Sequence, residues 1–149
     1  MNYKTIIDTL KTTSNSHLMV ETVGYGNLSD IEVPDNEEPP NYPYVFINPV
    51  SVAVNRNEFS VTVNLIGMTQ VRDKEQNEID GQDMMIAILT DIIARFGIDV
   101  SATYPLIDIQ FPFSVTPFKE RFQDDVVGAT VSLTINYGKA IEGCEIAFA

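Results

Sequence analysis

His17, Cys144 and the adjacent acidic pairs Glu37-Glu38 and Asp124-Asp125 are the residues whose chemistry could reach beyond packing. His17 is the only histidine, so one imidazole would have to serve any relay or metal site. Its neighbours Ser16 and Leu18 supply no paired nucleophile. Cys144 lies close to the end of the sequence and has no second histidine to activate it. Two carboxylates can hydrolyse a glycosidic bond, but adjacent residues point to different sides, and nothing local separates their acidities. Asp30, Glu32, Asp35, Glu37 and Glu38 could gather oxygens around calcium. Their spacing does not fit a calcium loop, however, and Pro39-Pro40 restrict wrapping. Gly24-Tyr25-Gly26 lacks the third glycine, the following helix and the lysine of a phosphate loop. The expectation is no catalytic centre, no cofactor and no metal.

The balance of 9 Lys and Arg against 21 Asp and Glu gives a net charge of −12. That opposes nucleic-acid binding, whose affinity comes from neutralising phosphates. The cations are scattered; Phe118 and Phe122 with Arg121 come nearest to an aromatic–basic cluster, and core or interface packing explains them more simply. One cysteine excludes a disulfide framework and suits a reducing compartment. No apolar run reaches the ~18 residues that span a bilayer, and Met1-Asn2-Tyr3-Lys4 is unlike a signal peptide. A soluble protein made in the cytoplasm is expected. With 149 residues, 44% of them apolar, the chain suits a single domain over 1–149 with a packed core.

The elements that must position these residues follow from periodicity. Ile6, Ile7 and Leu10 predict a short helix over Asn2–Thr13, broken by the run Thr12 to Ser16. A strand follows over His17–Val23. An acidic, proline-stiffened loop occupies 27–43, long enough to order against a neighbouring subunit or to hold a cation. Tyr44 to Val54, with a bulge or bend at Pro49, and Phe59 to Leu65 alternate around Asn55-Arg56-Asn57, which predicts a β-hairpin whose turn asparagines are able to take the left-handed conformation. Asp80 would cap a helix from Gly81 to Phe96, ended by Gly97. A strand over Leu106–Phe113, a turn over Thr116–Asp125 and a strand over Val127–Tyr137 come next. The tail, 138–149, can add a short strand over Cys144–Phe148. The fold class is α+β: an antiparallel sheet with a long hairpin, covered by one main helix and a short N-terminal one.

This order, ending in Phe122-Gln123-Asp124-Asp125-Val126-Val127-Gly128-Ala129 before the last strand, resembles the tail-terminator or tail-completion family of tailed bacteriophages. Phe122 and Gly128 are the matching positions; the acidic proline loop is a departure. The resemblance implies a structural virion protein at the tail–neck junction, assembled in the host cytoplasm. A hexameric ring of it would cap the tail tube and join it to neck and head-completion proteins. DNA would pass through without specific binding. The hairpin tip Asn55, Arg56 and Asn57, with Phe118, Arg121 and Phe122, are the candidate subunit-interface residues. Alternatives are another neck or tail component (a head–tail connector or tube-like protein), a small protein-binding domain outside phages, or an enzyme with an acidic site.

Overall fold

A computed structural model describes residues 2–27, 41–71, 78–104, 106–121 and 125–138. Helix α1 covers Tyr3–Ser16. Asn2 caps it, its side chain accepting from the Thr5 backbone N–H at 2.9 Å. The expected break at Thr12 does not occur. Thr9 and Thr12 donate their hydroxyls to the carbonyls of Thr5 and Asp8 (2.7 and 2.9 Å), and Thr13 and Ser14 are buried. Hydroxyls that bond back to the i−4 carbonyl are satisfied within the helix at a small cost, which the burial of Thr13 and Ser14 accompanies.

Strand β1, Thr22–Tyr25, is shorter and later than expected because a turn follows α1, closed by the Val20 N–H donating to the His17 carbonyl at 3.2 Å. It pairs parallel with β2, Tyr44–Val54, so the sheet is mixed, though mostly antiparallel. β3, Glu58–Gln70, completes the hairpin. The ladder shifts between Pro49 and Ser51, leaving Val50 as the extra residue of the expected bulge. The turn closes with the Asn55 N–H donating to the Glu58 carbonyl at 2.8 Å. Its asparagines are not left-handed: among the described residues no non-glycine has a positive φ.

Helix α2 runs Glu78–Thr103, longer than predicted at both ends. Glu78 and Asp80 sit in its first turn, where the helix dipole favours them. Gly97 does not stop it. Burying Val100 on the stripe of Ile93 and Phe96 is worth roughly 1.5–3 kcal/mol, against about 1 kcal/mol for a glycine within a helix. Gly97 instead lies against β4, Ile107–Ile109, where an added Cβ would stand 3.2 Å from the Ile109 Cδ1.

The predicted turn over Thr116–Asp125 is mostly a strand, β5, Val115–Arg121. Pro117 is tolerated there because β5 is an edge. β6, Asp125–Gly138, is the central partner, with β3 along one side and β4 and β5 in succession along the other. The predicted strand over Leu106–Phe113 shrinks to Ile107–Ile109, and Pro112, after a cis peptide bond, lies in the gap before β5. The sheet order is β1-β2-β3-β6-β4, with β5 on β6.

α2 crosses β3 and β6, and α1 packs on α2, β1 and β2. The helix-side face holds the main core, including Val45, Ile47, Val61, Val63, Leu65, Val131, Leu133 and Ile135. A second, smaller cluster lies on the opposite face: Tyr44, Phe46, Ile66, Met68 and Val126, with Tyr42 and Phe118 against it. Most of the acidic loop, residues 28–40, and the possible strand over Cys144–Phe148 lie outside the described residues.

Candidate subunit interface

The two ends of the sheet differ. At one end, Phe118 stands opposite Gly128 and packs, partly buried, on the second cluster. Its carbonyl accepts from Gln82 Nε2 at 3.1 Å, and Lys119 pairs with Glu78 at 2.5 Å, so β5 is tied to the first turns of α2. Arg121 ends β5 opposite Asp125. Phe122 lies outside the described residues.

At the other end, Val54, Phe59, Tyr137 and Ile107 stand abreast across β2, β3, β6 and β4. Beyond them project Asn55, Arg56 and Asn57, all exposed. The register places Phe118 and the hairpin tip at opposite ends of β3, because Gly128 faces Met68 while Tyr137 faces Phe59. Nine residues of strand make about 30 Å. Among the described residues, Phe118 and the hairpin tip therefore do not share one patch.

Periodicity alone did not single out the sides of the hairpin arm. β1 pairs β2 only from Tyr44 to Ile47, so beyond Pro49 no strand among the described residues pairs with the outer edge of β2. There Val50, Val52 and Val54 are 54%, 40% and 55% exposed. Val52 and Val54 oppose Val61 and Phe59, which places them on the helix-side face of the sheet. Alternation marked these valines as strand; whether a helix reaches over them depends on tertiary placement.

Along the opposite edge a groove of about 440 Å³ runs between α2 and β4. It is lined by Ile93, Gly97, Ile98, Ile107, Ile109 and Phe111, together with Phe113, and among the described residues its one charged residue is Asp108. Ile98 and Phe111 are 65% and 69% exposed. A third surface, beside α1, carries Lys4 paired with Asp8 at 2.7 Å and Lys11 stacked 4.4 Å over the Tyr25 ring. Both lysines are thus already engaged within the chain.

His17 serves as a clasp. Its Nδ1 accepts from the Met19 N–H at 3.1 Å, and its Nε2 lies 3.1 Å from an Asp91 carboxylate oxygen, tying the end of α1 to α2. His17 and Asp91 also line a surface pocket with Thr13, Ser16, Leu18 and Arg95. Among the described residues no three of His, Cys, Asp and Glu are grouped to hold a metal ion. Cys144, Glu37, Glu38 and Asp124 lie outside the described residues. Within them, no helix is long and apolar enough to cross a membrane.

No protein-family model matches the chain, and no curated protein matches it. A solved structure whose designation states no activity is similar at 11% identity and a TM-score of 0.41, over 93% of this chain and 96% of that one. A likeness of that degree carries no argument about function.

Proposed function

We propose that the chain acts by contact rather than catalysis, as a tail-terminator or tail-completion subunit of a tailed phage. Its copies close into a hexameric ring that caps the tail tube and joins it to the neck. The observation that carries this reading is the hairpin arm, three exposed valines on a strand edge that no described strand pairs with. Exposed apolar surface and unpaired edges call for a partner, and closing a ring of identical subunits covers them. The net charge of −12 suits a ring that lets DNA pass without gripping it.

Electron microscopy of virions lacking the protein tests the role. Overlong or headless tails support termination, and normal virions overturn it. Native mass spectrometry of the purified chain tests the ring. A monomer at every concentration favours a small protein-binding domain instead. Heads without attached tails of normal length favour another neck role.

A further inference from the structure

We infer that the hairpin arm of one copy docks in the groove between α2 and β4 of the next. The inference rests on the ring reading and adds the surface that receives the arm.

Three observations carry it. The first is matching chemistry: the arm offers Val50, Val52 and Val54, and the groove offers Ile98, Ile107, Ile109, Phe111 and Phe113. Uncovered β-branched side chains and an apolar cleft gain by covering each other.

The second is charge. Along β2 and the turn, Val50 to Asn57, the one charged residue is Arg56, with the exposed Glu58 following at the start of β3, in a chain whose net charge is −12. Among the described residues, the one charged residue lining the groove is Asp108. Two copies that repel elsewhere can therefore meet here with opposite signs.

The third is geometry. Val54 and Ile107 occupy the two flanks of the same row of four strands, separated by β3 and β6. Three strand spacings put them about 14 Å apart. The apolar edge of β2 and the groove therefore lie on opposite flanks of one sheet, so this edge cannot cover its own groove and can meet only another copy's. Such a contact joins two different patches, the head-to-tail arrangement that propagates around a ring.

The test uses the full chain with Cys144→Ser as background. Val54→Cys and Ile98→Cys are introduced in separate chains and treated with a short bismaleimide, alone and mixed. The mixture should yield a cross-linked dimer while each variant alone yields none, and a chain carrying both cysteines should give a ladder. Val52→Asp with Val54→Asp should weaken association at least tenfold while circular dichroism shows an intact fold. Arg56→Asp should weaken it similarly, and adding Asp108→Arg should restore it.

Rings that form without the mixed cross-link, or Val54→Cys chains that cross-link to each other, overturn the docking and leave the ring. A chain monomeric at every concentration overturns both.

Discussion

Gly128 occupies the tightest backbone approach among the described glycines, and replacing it should be costly. A Cβ there would fall on the Gly67 carbonyl oxygen and stand 2.8 Å from its carbon and 3.1 Å from the Met68 Cα. All three atoms are backbone of β3, so no side chain can swing aside. The strands can accommodate the methyl only by separating along a ladder that runs from Glu58 to Gln70. A retreat of Gly67 would press toward Met85 and Leu89 of α2, whose side chains stand over it. Overpacking a core costs roughly 1–3 kcal/mol, and a backbone-on-backbone clash belongs at or above the upper end.

Gly128→Ala should therefore lower stability by about 3 kcal/mol. With a urea slope near 2 kcal/mol per molar, the midpoint should fall by about 1.5 M. The thermal midpoint should drop by roughly 6–12 °C for a chain this long. Gly138→Ala is the matched control in the same strand. The nearest described atoms its Cβ would meet belong to the Leu106 side chain, at 3.4 Å or more, and it should be neutral or gain up to about 0.5 kcal/mol from the stiffer unfolded chain. If Gly128→Ala unfolds at the same urea concentration as Gly138→Ala, the argument from close approach is wrong.

The Ser14 hydroxyl is buried without a hydrogen-bond partner, so Ser14→Ala should be neutral or stabilising by up to about 1 kcal/mol in urea unfolding. Gly97→Ala exchanges a helix-interior glycine for a contact with the flexible tip of Ile109, and should raise stability by about 0.5 kcal/mol. Burial holds the Tyr137 phenol above its ordinary pKa. The unfolded chain releases that proton near pH 10, so this contribution is intact below pH 10 and is lost as pH rises through the folded-state value. Tyr137→Phe should flatten the fall in alkaline stability, measured by denaturation between pH 9 and about 11.5 with tyrosinate absorbance followed in parallel.

Much of the fold was legible because its signals are local. Val50, Val52 and Val54 alternating toward Phe59, Val61 and Val63 specify a hairpin, and Asn55-Arg56-Asn57 marks its turn. Ile88, Leu89, Ile92, Ile93 and Phe96 specify a helix. What escaped depends on distant partners. Gly97 reads as a stop until Val100 is known to have a buried place beyond it. β5 reads as a turn because Pro117 and its charged neighbours obscure its alternation, with Val115 packing on the main core and Phe118 on the opposite face. His17 gave no sign of Asp91, which is 74 residues away. At the candidate interface the hairpin tip was legible and the groove between α2 and β4 was not. Ile98 and Ile107 meet along one groove only once α2 and β4 are packed together.

The separation of the two sheet ends yields a sharper division of roles. Phe118 reads from sequence as an interface residue, yet it is partly buried on the cluster of Tyr44, Phe46, Ile66, Met68 and Val126. Complete burial of a phenylalanine makes its truncation cost about 3–5 kcal/mol; at partial burial Phe118→Ala should cost about 1–2 kcal/mol and leave association unchanged. Val52→Asp should do the reverse, because its side chain is 40% exposed and supports little of the core. Urea unfolding and native mass spectrometry on the same two proteins separate the effects. If Phe118→Ala keeps its stability but loses association, the outer cluster is the meeting surface. The arm would then be a projection without the role assigned to it.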